Sequence, residues 1–205
     1  MSVQKEITRE NNERNILKAA EEIFAQYGFR GATTDLIAKQ AGLPKANIHY
    51  YYKTKELLYR AVLERVLDEW SEAAKVFEQY EEPKVALTKY IESKMKFSRS
   101  RPYASKVWAN EVLHGADAVS GFLKTSVKTW LNDRNQLLQK WIYDKKIKPV
   151  DPTAFFYMIW AATQHYADFD HQIVILNDGL PYSDEEYQQK IKQLTELILG
   201  SVGLD

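Results

Sequence analysis

The chain has no cysteine. That excludes a disulfide framework, a thiolate zinc site and a cysteine nucleophile, and it fits a reducing compartment. Punctuating residues are scarce as well. Eight glycines and six prolines stand in 205 residues, together about 7% against about 12% in average usage. So few breakers leave little room for the turns of an all-β fold. Long hydrophobic runs are also missing: the longest, Ala154–Ala162, spans 9 residues, about half of the ~18 that a membrane helix requires. The opening stretch MSVQKEITRENNERN lacks the apolar core of a signal peptide. No P-loop, dinucleotide-binding glycine fingerprint, nucleophile elbow or His-Glu-x-x-His zinc string occurs. The expectation is a soluble, cytoplasmic, all-α protein with no membrane segment, no cofactor, no metal and no catalytic residues.

Net charge is zero, yet the charges are not evenly spread. Residues 1–55 carry 9 Lys/Arg and 6 Asp/Glu, and the remaining residues carry 19 and 22. From Leu36 to Lys55 there are four lysines, Lys39, Lys45, Lys53 and Lys55, and no acid. A chain that coats nucleic acid is basic throughout; here the positive charge is confined to one short segment.

That segment has a readable grammar. A first helix is predicted from about Asn12 to Tyr27, with Ile16, Ala20, Ile23, Phe24 and Tyr27 on one apolar stripe and Gly28 as its C′ residue. Thr33 can cap a short helix that points Ile37 and Ala41 inward and stops at Gly42. Pro44 suits the first turn of another short helix, about Lys45 to Tyr52. Thr54 can cap a fourth, with no breaker before Pro83. Two short helices about a glycine make a helix-turn-helix. The second of them is polar where a buried helix would be apolar: it presents Lys45, Asn47, His49 and Tyr50, with Ile48 inward. Asn pairs with adenine, Lys reaches guanine or phosphate, and His and Tyr donate to phosphate oxygens.

The run Thr33-Thr34-Asp35-Leu36-Ile37-Ala38-Lys39-Gln40-Ala41-Gly42-Leu43-Pro44-Lys45, followed by Tyr51 and by Lys53-Thr54-Lys55-Glu56-Leu57-Leu58, resembles the DNA-binding domain of the TetR family of transcriptional regulators. The resemblance implies a helix-turn-helix domain over residues 1–54 and a helical ligand-binding and dimerisation domain over 55–205. It also places Thr33, Lys45, Tyr51 and Lys55 at positions that commonly touch phosphates or bases. Three residues depart from the family pattern: Ala46 replaces the usual Gly, His49 a frequent Tyr, and Tyr52 the usual Phe.

Asp151 followed by Pro152 opens a later helix predicted to continue to about Leu176, and Ser183 with Glu186 forms a capping box for the last, to about Leu199. Phe155, Ile159, Ala162, Tyr166, Phe169, Ile173 and Leu176 make a heptad seam, and Tyr187, Ile191, Leu194 and Ile198 a shorter one. Such seams either pack on each other or pair with a second copy as a four-helix interface; the family resemblance implies the homodimer. A second stripe holds Phe156, Trp160, Gln164, Ala167 and Asp168. It is either a core face with a satisfied glutamine, or a pocket wall on which Trp160 stacks a flat ring and Gln164 reads its edge.

The run Met158-Ile159-Trp160-Ala161-Ala162-Thr163-Gln164-His165-Tyr166-Ala167-Asp168-Phe169, with Leu58-Tyr59, Ala61-Val62-Leu63 and Trp70, is similar to a pyrimidine-sensing branch of the family. That similarity implies Trp70, Trp160 and Gln164 as the residues that hold uracil, thymine or a close analogue. It also implies a repressor released from a double-stranded, palindromic operator. Trp70 and Lys55 would then share one helix, about 22 Å apart at 1.5 Å rise per residue, which offers a route from ligand to DNA. The alternatives are a different flat metabolite, or a helical-bundle metal enzyme built on His165, Asp168, Asp170 and His171, whose i, i+3 spacings are those of carboxylate-bridged bundles.

Overall fold

A computed structural model describes residues 3–204, with side chains from Lys5. Helices carry the whole architecture, and no strand occurs among the described residues. They fall into two compact units. The first comprises the chain up to Asp68 together with Tyr103–Val119; the second comprises Glu69–Pro102 and the chain from Ser120 on.

The first unit contains α1 (Val3–Gly31), α2 (Thr34–Ala41), α3 (Lys45–Tyr51), the leading part of α4 (Lys55–Ala74) and most of α7 (Pro102–Leu113). Its core is the stripe the sequence predicts: Ile16, Ala20, Ile23 and Phe24 are buried, joined by Ile37, Ile48 and Leu58. Tyr27 is not part of it and is 48% exposed. The reason lies one residue on, where Gly28 takes φ 65°, ψ 174° and bends the chain before the last turn of α1; positive φ is what glycine supplies cheaply. Phe24, Phe29 and Tyr59 cluster there, with Tyr59 4.8 Å from both other rings. The Tyr59 hydroxyl donates to Glu111 Oε2 at 2.9 Å, and Glu111 Oε1 accepts from the Ala118 amide at 2.7 Å, so this buried carboxylate is held at both oxygens.

The second unit contains α5 (Val76–Gln79), α6 (Pro83–Ser100), α8 (Ser120–Phe122) with a π-helical turn (Leu123–Val127), α9 (Lys128–Tyr143), α10 (Pro152–Asp168), α11 (Asp170–Leu176) and α12 (Asp184–Ser201). Helix α6 is central and packs on α10, α12 and α5. Caps sit where expected. Asp151 accepts from the Ala154 amide at 2.7 Å, and Ser183 and Glu186 form a complete capping box.

Two helices beyond α1 differ from expectation. Helix α4 ends at Ala74 rather than running to Pro83. No breaker stands there; Ala74 and Phe77 are both drawn into the core, where Phe77 meets Tyr90, Trp130, Trp141 and Phe156. The helix predicted over 152–176 breaks at Phe169, whose φ is −115° and ψ 27°. Its seam is therefore not continuous. Phe155 and Ile159, with Tyr187, Ile191 and Ile198 of α12, are buried inside one chain, whereas Phe169 and Leu176 are 52% and 76% exposed. The Phe155, Ile159, Tyr187, Ile191 and Ile198 part of the seams thus packs on the chain's own core, while the Phe169 to Leu176 end stays outward. Among the described residues no helix is long and apolar enough to cross a membrane.

Candidate functional site

The helix-turn-helix is built as its sequence dictates. The Thr33 hydroxyl accepts from the Leu36 amide at 3.2 Å and caps α2. Gly42 ends it at φ 66° with its amide on the last carbonyls, the left-handed cap that glycine favours. Pro44 precedes α3, and Ile48 is the one residue of α3 that is fully buried. That inward anchor leaves the opposite face outward. Lys45, His49 and Tyr50 are exposed, Tyr50 by 67%, and Asn47 is half-buried. Lys45 is not idle: its ammonium meets the Asp35 carboxylate of α2 at 2.8 Å, on the surface.

The other two residues expected at the DNA face are differently placed. Tyr51 donates its hydroxyl to the Arg9 carbonyl at 3.1 Å, and Tyr52 donates to Glu13 at 3.1 Å, so both tie α3 to the first half of α1. The helix begins at Val3 where the sequence predicts a start near Asn12, and the Arg9 carbonyl held by Tyr51 lies in that extension. Burial, and then the Glu13 carboxylate, raise the Tyr52 phenol above its ordinary range. Lys55 donates to the Phe29 carbonyl at 2.7 Å and the Ala32 carbonyl at 2.9 Å, with its ammonium 4.5 Å from the Phe29 ring. It is half-buried, and its charge faces the turn that follows Gly28. Sequence spacing alone cannot distinguish such a lysine from one aimed at phosphate.

The second unit places the residues of the expected effector wall around α6. Trp160 donates its indole N–H to the Tyr90 hydroxyl at 2.8 Å and lies 6.0 Å from Trp130. Tyr90 is buried, and burial raises its phenol well above the usual range despite the bond from Trp160. One turn along α6, the Lys94 ammonium stands 4.0 Å over the Trp70 ring, which Phe97 also meets edge-on at 5.7 Å. Lys94 is 4% exposed. Burial pushes its pKa down to about 7, against the pull of Asp168. Trp70 and Trp160 are thus held by neighbouring turns of one helix, through Lys94 and Tyr90. Gln164, one turn from Trp160 on α10, is half-buried and has no side-chain hydrogen bond among the described residues.

Sequence reasoning missed Tyr90, Lys94 and Trp130. Their spacing on amphipathic helices is that of ordinary core or surface positions, and no signal in the sequence marks them. A further cleft of about 140 Å³ lies elsewhere in this unit, between Arg99, Tyr166, Asp170, Tyr182 and Tyr187. The metal alternative has no geometry to stand on: among the described residues no three His, Asp or Glu side chains are grouped to hold an ion. His165 stacks on Phe169 at 5.0 Å, and the break at Phe169 separates Asp168 from His171.

Family models match both parts of the chain. Residues 16–62 match the bacterial regulatory proteins of the tetR family, and residues 63–205 match the C-terminal region of YcdC-like proteins. The chain belongs to the TetR family. Within that family it is similar to the transcriptional regulator RutR of Escherichia coli K12, at 35% identity over 187 residues, covering 91% of this chain and 88% of RutR. Similarity to the regulator YhgD of Bacillus subtilis is lower, 27% over 146 residues, covering 68% and 75% of the two chains. The fold is that of the ketosteroid transcriptional regulator KstR2 of Mycobacterium tuberculosis, with a TM-score of 0.71 at 16% identity over 93% and 94% of the chains. This TetR-family chain is accordingly a DNA-binding, ligand-responsive transcriptional regulator and a homologue of RutR, not an enzyme.

Proposed function

We propose that this regulator is a homodimeric repressor whose palindromic operator is released when uracil, thymine or a similar pyrimidine binds between Trp70, Trp160 and Gln164. The observation that carries the reading is the Gln164 amide. It is half-buried beside Trp160, whose own N–H is satisfied by Tyr90, and it has no side-chain partner among the described residues. With no described side chain of the protein engaging it, this amide is available to a ligand. Its adjacent acceptor and two-proton donor complement the N–H and C=O of a cyclic imide, and indole faces favour a flat ring.

On the DNA side, residues 1–54 carry the operator contacts. Lys45, Asn47, His49 and Tyr50 of α3 enter the major groove, and Thr33 at the start of α2 meets the backbone; Tyr51 and Lys55 hold α3 and α4 in place behind them. One α3 per protomer reads one half-site, with half-sites about 34–36 Å apart or in phase with that spacing. Residues 55–205 serve the effector and the partner copy. With much of both seams internal, the partner meets the outer strip of α12, where Gln193, Glu196, Leu197 and Gly200 line a shallow hollow and Leu197 is 73% exposed. Helix α4 carries both Lys55 and Trp70, so a ring seated at Trp70 can shift the helix that supports the reading head, and reciprocity requires operator and effector to weaken each other equally.

Calorimetry with uracil and thymine, followed by operator titration with and without them, tests the reading. Uracil should bind and weaken the operator complex, and Gln164→Leu should lose about 5- to 150-fold in uracil affinity, the cost of an unpaired polar edge. If neither pyrimidine gives heat at millimolar concentration while another planar compound does, the effector assignment is wrong.

A further inference from the structure

Lys94 is a buried cation that the recognition set above does not use. Lysine is almost never fully buried unless paired, and here it lies among the groups that position the effector wall. Its ammonium covers one face of Trp70 at 4.0 Å. Tyr90, one turn before it on α6, holds Trp160 at 2.8 Å, and Asp168, the acid that Lys94 feels, follows Gln164 by one turn of α10. A ring cannot stack on the covered face of Trp70 without meeting this ammonium.

We propose that Lys94 is an effector-recognition residue, its ammonium donating to a carbonyl oxygen of the planar ring that binds against Trp70 and Trp160. The assignment rests on the pyrimidine reading above. Lysine is a donor with no acceptor, so it selects rings that present a carbonyl at that edge, while Gln164 reads the adjacent imide. The two side chains divide the polar rim of a dioxo ring between them.

The site is also coupled to protons. With its pKa held near 7, Lys94 is partly neutral at physiological pH. A carbonyl acceptor favours the charged form, so binding draws a proton from solvent. Affinity is then constant below about pH 6 and falls as pH rises through 7, about tenfold between pH 6 and pH 8. The charged group that acts on Lys94 is Asp168 from α10; Tyr90 lies one turn before it on α6, and Glu69, next to Trp70 in the chain, is bound by Arg101. His165 also stands on α10, and the variants below separate its contribution.

The test is uracil calorimetry from pH 6 to pH 8 in buffers of different ionisation enthalpy, on the full-length wild type, Lys94→Met and Lys94→Arg. The proposal expects proton uptake and the tenfold pH dependence in wild type. It expects at least tenfold weaker binding with a flat profile for Lys94→Met, and a flat profile with retained binding for Lys94→Arg, which keeps the donor but does not titrate. Thermal unfolding by circular dichroism checks that each variant is folded; if Lys94→Met is not, the wild-type proton uptake and the Lys94→Arg profile decide. Lys94→Met binding uracil as wild type does, with the same pH dependence, overturns the assignment of Lys94 alone. Absence of any heat with uracil and thymine sinks the pyrimidine reading instead. The same titration then passes to whichever planar compound shifts the melting temperature, where loss of pH dependence in Lys94→Met supports the role and its persistence refutes it. No response to any planar ring refutes both.

Discussion

Replacing Lys55 separates two roles that look identical in the sequence. A lysine at the start of α4, in a segment of four lysines without an acid, reads as a phosphate contact. In the fold its ammonium makes two short bonds, 2.7 Å to the Phe29 carbonyl and 2.9 Å to the Ala32 carbonyl, and stands 4.5 Å from the Phe29 ring. Hydrogen bonds to a charged group contribute about 1.5–3 kcal/mol each, and an exposed cation–π contact about 0.5–1. Lys55 is half-buried, so solvent screens these bonds, and water rehydrates the carbonyls once the side chain is gone. Lys55→Met should therefore destabilise the first unit by about 2–3 kcal/mol. At about 2–4 °C per kcal/mol for a chain of this size, the melting temperature falls by roughly 4–12 °C. The decisive assay pairs that melt with operator affinity measured across a salt series. Loss of a phosphate contact lowers the slope of log affinity against log salt by about 1; loss of a structural lysine leaves the slope as it was and lowers only the melting temperature. A variant that melts like wild type but has a shallower salt slope would show that Lys55 faces DNA and that this reasoning is wrong.

Other expectations follow from the same geometry. Asp35→Asn removes the acid that holds Lys45 at 2.8 Å and should strengthen operator binding several-fold while steepening the salt slope by about 1; weaker binding would remove Lys45 from the DNA face. Tyr59→Phe takes one donor from the buried Glu111 carboxylate and should cost about 1–3 kcal/mol in urea unfolding; a neutral result would mean water replaces the hydroxyl. The Lys94 pKa is depressed in the fold, to about 7, so between pH 7 and its ordinary value near 10.4 the unfolded chain holds a proton that the folded chain has released. Stability of the ligand-free protein should therefore rise over that window, by up to about 1.4 kcal/mol per pH unit, and Lys94→Met should abolish the rise; an identical pH profile in the variant would place the titration elsewhere.

The local signals were legible because they depend on neighbours in the chain. Thr33 and Gly42 bound α2, Asp151 and Pro152 open α10, and Ser183 with Glu186 opens α12, since capping chemistry lies within one helical turn and no distant residue is needed to complete it. The polar face of α3 around the single inward Ile48 follows equally from periodicity, and with it the helix-turn-helix character of the first unit. Tertiary packing decided the rest. Helix α4 stops at Ala74 and α10 breaks at Phe169 without glycine or proline, because aromatic packing around Phe77 and the fit of α10 on α6 outweigh residue propensities that would have allowed continuation. The heptad seams could have faced a partner or the core, and packing drew Ile159, Ile191 and Ile198 into the chain's own core while leaving Phe169 and Leu176 outward. Lys55 and Lys94 show the same division for charge. A sequence states that an ammonium is present, but whether it meets a carbonyl, an indole face or a phosphate depends on residues 23 to 74 positions away, which only the folded chain brings within a few ångströms.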